Sequence, residues 1–350
     1  MDGTSDLFDT RPDAAPSSWR GRSRWSVNRP LNIVLVVLAA ILLALGAAAC
    51  GGDGEEAAGP AAATTTAGDP SKDKLAQVLG RGTLILFTDP EYPPQSFAVE
   101  GAKRPSDTKC APNELTAAEV AGYDADTGKL VAEGLGVEAC YVTPSWTEVT
   151  AGNWGDRWDL AYGSGAIDLE RMAVLYMTQP YYATPNVFFV PKDSPARRPE
   201  DLSGKRVGAC AGCTMEKYLR RTLKLPGAPL KFVVDNPDVV TFDTEVPGFA
   251  ATAKKRIDGF LCSEPVGAEE IANGVPLRML RPRAYLTYKT GYVDKSSGLD
   301  VGPFIERVNQ IISEAHGSGE LGKLSTKYFG KDYATEAGAF DLGSIGQTVE

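Results

Sequence analysis

The chain has 350 residues, 43% of them hydrophobic and 23% charged, with a formal net charge of -9. That composition excludes an intrinsically disordered chain, and the length suits two domains or one discontinuous two-lobed body. Beyond residue 49 there are 31 basic and 41 acidic residues, a net charge of -10, so the body cannot neutralise phosphates and nucleic acid is excluded as a partner.

Residues 1–30 read as an unstructured, cytoplasmic leading region. It holds Arg20, Arg22, Arg24 and Arg29 with no acid among them. Leu31–Ala49 follows as an apolar run broken only by Asn32. A cationic flank, an apolar run and small residues before a Cys form an export signal, which delivers everything after it outside the cell. Leu45-Gly46-Ala47-Ala48-Ala49-Cys50 resembles a bacterial lipoprotein cleavage box, in which Cys50 is lipidated, although Ala47 stands where that box usually has Leu. The alternatives are cleavage after Ala49 and, because ~20 apolar residues span a bilayer, an uncleaved anchor. In either lipidated or anchored form the chain is tethered to the outer face of the membrane. Residues 31–50 are thus signal and cleavage box, and 51–74, which lack a large apolar stretch, a flexible linker.

From Leu75 the pattern becomes globular. "TLILFTDP" (83–90) predicts a buried parallel strand ended by Asp-Pro. The stretch 100–118, carrying Cys110, predicts a polar surface loop. "GYDADTGKLVAEGLGV" (122–137) predicts a helix closed by Gly134 and Gly136, and "ACYVTP" (139–144) a strand. "WDLAYGS" (158–164) predicts another strand, with a helix starting near Asp168. "YYATPNVFFVPKDS" (181–194) predicts a strand leaving the first lobe. "RVGAC", "KFVVD" (231–235) and "RIDGFLCSE" (256–264) predict three strands of the second lobe. "AYLTYKTGYVD" (284–294) predicts the returning strand. Residues 301–330 predict two amphipathic helices broken at Gly317-Ser318-Gly319. The alternation makes the fold class α/β with mainly parallel sheets.

Six blocks in consistent order now carry a resemblance. "GTLILFTDPEYPPQSF" (82–97), "GYDADTGKLVAEGLGV", "DLAYGSGAIDLERMAVLYMTQPYY" (159–182), "DLSGKRVGACAGCTMEKYL" (201–219), "RIDGFLCSE" and "GSGELGKLSTKYFG" (317–330) resemble the bacterial extracellular solute-binding proteins, family 3, of the polar-amino-acid type that serve ABC importers. The resemblance implies two Rossmann-like lobes joined by a two-strand hinge, the type II periplasmic-binding-protein-like arrangement. The first lobe is then 75–190 with 285–333, the second 191–284, and 334–350 a C-terminal tail. The solute lies between the lobes at carboxyl ends of strands.

Carried over residue by residue, the resemblance makes Arg171 the grip on the solute's α-carboxylate, which a planar guanidinium matches with two parallel hydrogen bonds. A surface Arg paired with Glu170 or Glu216 is the plain alternative. Thr214 offers donors to the same carboxylate at a helix start, or simply caps that helix. Tyr92 and Trp146 correspond to aromatic walls, or else pack in the core. Asp89 reads the solute's distal group, or caps a turn before Pro90. Ser164 is a polar contact. Ala166 stands where the family often has Thr or Ser. Ser263 stands where it has an Asp for the ammonium, with Glu264 next as a substitute. Arg171 and Ser164 are expected to meet the solute first, and hinge closure to add Thr214 and Ser263.

Cys110 and Cys140 are expected to pair in an exported protein. The implied strand order places Cys210 and Cys262 side by side, so that bridge is expected, with Cys210–Cys213 as its rival. Cys210-Ala211-Gly212-Cys213 also has the spacing of a redox centre, which keeps a thiol oxidoreductase as an alternative to a binding protein. A ligand sensor acting on a membrane receptor is another, and a dehydratase using Glu264 as general acid or base a third. The only His, His316, argues against zinc and against a Ser-His-Asp triad. No cofactor and no metal are expected, and a monomer that docks on an ABC permease is.

Overall fold

The computed structural model describes residues 68–227 and 230–349. The apolar run, Cys50 and most of the linker lie outside the described residues.

One mixed sheet of eleven strands runs through the body. At the centre of the first lobe, Thr83–Phe87 pairs in parallel with Glu138–Val142 on one side and with Leu160–Ala166 on the other. Both faces of Thr83–Phe87 are covered, which is why its sequence is a continuous apolar run with no alternation. In the second lobe Arg206–Cys210 pairs in parallel with Asp238–Phe242 and Gly259–Ser263. Two long antiparallel strands, Tyr182–Pro191 and Tyr285–Asp294, link the halves: the first joins Gly259–Ser263, the second Leu160–Ala166. This is the two-lobed α/β arrangement with a two-strand hinge.

Each half has its own apolar interior. Leu84, Leu86, Tyr123, Val131, Phe304 and Ile312 belong to the first. Val187, Phe188, Val207, Phe249, Phe260 and Leu261 belong to the second. A smaller cluster around Phe87, Trp154, Trp158, Met177 and Tyr292 lies against the hinge side of the first lobe. The helix Tyr123–Leu135 closes on Gly136 in the left-handed conformation (φ 73°), which lets its N–H reach the Ala132 carbonyl. The two C-terminal helices are Gly302–Gly317 and Glu320–Phe329, separated where Gly319 takes φ 73°.

Several expectations are corrected. "KFVVD" is not a strand; the edge strand of the second lobe is Asp238–Phe242, none of whose residues is fully buried, which hides it in the sequence. The loop at 100–118 contains a short strand, Leu115–Thr116, antiparallel to Glu138–Val142. The stretch 334–349 packs on the body: the Gln347 side chain bonds the backbone of Met177 at both N–H (2.6 Å) and C=O (2.9 Å), and Ile345 is buried. Cys110 bonds Cys140 as expected. Cys210, however, is bonded to Cys213, not to Cys262, which is a buried free thiol. Strand adjacency put Cys210 and Cys262 beside each other, but the turn Ala211-Gly212, with Gly212 at φ 69°, brings Cys213 back to the same sulfur.

Candidate functional site

A cleft of about 560 Å3, part of it open to solvent, lies where residues of both lobes and the hinge meet. Asp89, Tyr92, Trp146, Ser164, Arg171 and Thr214 all line it. Ser263 does not; it is buried behind the wall, with its Oγ 3.4 Å from the Tyr92 hydroxyl.

Arg171 is placed by local sequence. Asp168 caps the helix Leu169–Val174 by accepting from the N–H groups of Glu170 (3.0 Å) and Arg171 (3.1 Å). The same carboxylate turns to pair with Arg171 Nε at 3.1 Å. Nη1 donates to the Tyr292 hydroxyl at 2.9 Å, and Nη2 to the Gly212 carbonyl at 3.1 Å. The guanidinium stands 5.2 Å from the Trp146 ring centre. Arg171 is therefore a buried cation on the cleft wall that also ties the first lobe to the Cys210–Cys213 turn. It is paired with neither Glu170 nor Glu216; those acids pair with Lys217 and Arg220.

Trp146 opens a short helix through a capping box in which Ser145 and Glu148 bond each other's backbone. Asp89 accepts from the Glu91 N–H at 3.0 Å, so it caps its turn and faces the cleft at once; burial raises its pKa. Thr214 is buried, and its hydroxyl accepts from Tyr285 at 3.3 Å. Its helix has only six residues, so the dipole help expected of it is slight. Ser164 takes φ 55° inside a strand, and its hydroxyl donates to Asp124 at 2.7 Å.

Three charged groups emerge that the sequence reading passed over. Glu245, half-buried at the start of the helix Glu245–Ala253, lines the cleft; its carboxylate accepts from its own backbone N–H and has no ion pair among the described residues, and burial pushes its pKa up to about 7. Asp243 lines it nearby. Lys289, on the returning hinge strand, faces the cleft and is 3% exposed; burial, then the neighbouring Arg171, bring its pKa down to about 8. A lone lysine amid the buried strand "AYLTYKTGYVD" was the available signal, since Lys is seldom buried without a role. Nothing in the sequence around Glu245 marked it.

Glu264 is corrected as a substitute for the missing acid. Its carboxylate bonds Arg281 at 2.7 Å and the Tyr333 hydroxyl at 3.1 Å, with Lys331 at 3.6 Å, and it is not part of the cleft wall. As to metals, the donor atoms of Cys210, Cys213 and Glu245 lie within 4.8 Å of one another, as do those of Cys110, Glu114 and Cys140. In both groups the sulfurs are joined to each other and are not thiolate ligands.

Behind Ser164, the buried Asp124 also accepts from Tyr181 at 2.7 Å, and desolvation lifts its pKa to about 7 against those hydrogen bonds. Because the folded state holds this proton far above the pH at which an unfolded Asp releases it, the stabilisation it brings is complete below about pH 4 and lost as pH rises through about 7. Chemical denaturation of Asp124→Asn across pH 4 to 8 is expected to show a flatter stability profile than the parent. An unchanged slope excludes Asp124 as its source.

Residues 84–331 match the family described as bacterial extracellular solute-binding proteins, family 3. Over 260 residues the chain is 25% identical to the L-cystine-binding protein TcyJ of Escherichia coli, covering 74% of this chain and 86% of the relative. It is 27% identical over 184 residues to cyclohexadienyl dehydratase of Pseudomonas aeruginosa, covering 51% of this chain and 61% of that one, so an enzyme stands among the relatives. The crystal structure of a mutant of ArgBP from T. maritima superposes with a TM-score of 0.59 at 22% identity, over 74% of this chain and 100% of the other, which shows a common fold. With the match spanning well over half of its length, the chain belongs to the bacterial extracellular solute-binding proteins of family 3.

Proposed function

We propose that this chain is an exported, membrane-tethered receptor that captures an amino acid in the interlobe cleft and delivers it to an ABC importer. One observation carries the reading. A single cleft is lined by two buried cations, Arg171 and Lys289, by the acids Asp89, Asp243 and Glu245, and by the rings of Tyr92 and Trp146. Both signs of charge with flat apolar walls suit a dipolar solute of amino-acid type. Its carboxylate goes to the cations. Ser263 has no charge to offer its ammonium, and Glu245, which has no cationic partner in an ion pair among the described residues, takes that part. Asp89 meets a distal polar group.

Closure follows from contacts that span the lobes. Arg171 reaches the Gly212 carbonyl, Tyr92 reaches Ser263, and Lys217 pairs with Asp168 at 3.3 Å. A solute touching both lobes adds to these and favours the closed form by its differential affinity. The relatives that bind L-cystine and arginine support an amino acid as the cargo. The role is binding without catalysis: Glu264, the candidate acid or base, is held by Arg281 and Tyr333 and is not part of the cleft wall. Cys50, acylated at the end of the signal, and the linker 51–74 provide the tether.

The test is a thermal-shift screen of the standard amino acids together with L-cystine. At a hundredfold excess over Kd, binding stabilises by about 2.7 kcal/mol. For a body of this size that is roughly 5–10 °C in Tm. A panel in which nothing raises Tm refutes the proposal.

A further inference from the structure

Resting on the reading that the cleft takes an amino acid, we propose that Lys289 is an anion anchor of this site: the solute's carboxylate docks on its ammonium, beside the guanidinium of Arg171. The two cations differ in what they already hold. Arg171 is neutralised by Asp168 and donates to Tyr292 and Gly212 before any solute arrives. Among the described residues Lys289 has no hydrogen bond and no ion pair, although it is 3% exposed and lines the cleft. An unpaired ammonium held out of water costs several kcal/mol, and a carboxylate brought to it recovers that cost. The register also fits. Lys289 pairs across the sheet with Ala166, whose carbonyl accepts from Tyr292 and lies 3.4 Å from Arg171 Nη1. Ala166 has no side-chain donor, and the lysine on the adjoining strand supplies one at that place.

Four groups face Lys289 from the elements around it: Arg171 from Leu169–Val174, Asp124 from Tyr123–Leu135, Cys262 from Gly259–Ser263 and Glu245 from Glu245–Ala253. Arg171 and burial favour the neutral amine, the other three the ammonium, and the balance places the empty site near pH 8. A bound carboxylate favours the ammonium, so binding takes up a proton above that pH and affinity falls as pH rises through it.

The experiment is calorimetric titration of L-cystine, L-arginine and L-glutamate, with cystamine and agmatine as carboxylate-free counterparts, into the parent, Lys289→Met and Lys289→Arg. For the amino acid that binds the parent, Lys289→Met is expected to weaken binding at least tenfold. Lys289→Arg is expected to stay within a few fold of the parent. Moving from pH 7 to 9.5 is expected to weaken the parent roughly tenfold and Lys289→Arg distinctly less. Cystamine and agmatine are expected not to distinguish parent from Lys289→Met. Equal amino-acid binding by Lys289→Met, or an unchanged pH effect in Lys289→Arg, overturns the proposal. A second measurement separates this failure from failure of the amino-acid reading. Acetic anhydride labelling of the parent, read by peptide mass spectrometry, is expected to modify Lys289 with a midpoint near pH 8 and to be suppressed by succinate. Labelling indifferent to succinate overturns the anchor, whatever the amino-acid panel shows.

Discussion

Arg171→Ala is expected to bind the amino acid identified by thermal shift at least 100-fold more weakly than the parent, while remaining folded. The guanidinium is buried on the cleft wall, where a charge-assisted pair is little screened by water. A loss of 100-fold corresponds to about 2.7 kcal/mol, which is within the range for removing one partner of a buried charge pair on binding. Folding is less affected, because the partner left behind is not stranded. Asp168 keeps its two backbone N–H donors and its ion pair with Lys217. The Tyr292 hydroxyl keeps the Ala166 carbonyl as acceptor at 2.6 Å. Circular dichroism and denaturant unfolding check the fold, and calorimetry reads the affinity. Arg171→Lys is expected to recover only part of the loss, since an ammonium keeps the charge but not the planar fork. If Arg171→Ala binds as well as the parent, this residue is only a structural tie between Asp168, Tyr292 and the Cys210–Cys213 turn.

Asp159→Ala is expected to lower folding stability by about 3–5 kcal/mol without touching the cleft. Asp159 is buried just before the strand Leu160–Ala166, at that strand's amino end, and holds two cations. Lys74 Nζ lies 2.7 Å from one carboxylate oxygen, and Arg81 Nη2 bonds the other. The second oxygen also accepts from the Ile85 N–H at 2.8 Å, so the same side chain fixes the central strand. Removing it leaves Lys74, 1% exposed, with Asp156 at 3.6 Å as its nearest acid. It also leaves a backbone donor without a partner. Asp159→Asn keeps an acceptor for Ile85 and is expected to cost less. Differential scanning calorimetry decides: at roughly 2–4 °C per kcal/mol, Tm is expected to fall about 6–20 °C. A fall of under about 2 °C shows that water replaces the carboxylate and that the triad is not buried in solution. Affinity measured on the folded fraction is expected to match the parent.

Reading along the chain, the order of elements was legible because the central strands of the sheet are covered on both faces. "TLILF", "RVGAC" and "GFLCS" are short apolar runs for that physical reason, the helix Tyr123–Leu135 ends on Gly136, and Gly319 opens the helix Glu320–Phe329, both in a conformation that a residue without Cβ adopts freely. Arg171, Trp146 and Asp89 were legible for a different reason: they sit at strand ends and helix starts, where an open α/β sheet exposes side chains to a ligand. Asp238–Phe242 was missed because an edge strand is half exposed and loses its apolar signature.

In the amino-acid sequence, local periodicity determined the α/β class and the order of the elements, while the resemblance of six ordered blocks to a known family implied the family and the guanidinium of the cleft. Tertiary structure alone decided which sulfurs join, that Glu264 turns to Arg281 and Tyr333 and away from the cleft, and that Glu245 and Lys289 meet from different lobes and strands. Charge balance in a cleft is a property of distance, and residues 44 positions apart, as Glu245 and Lys289 are, carry no sign in the sequence of how closely they stand.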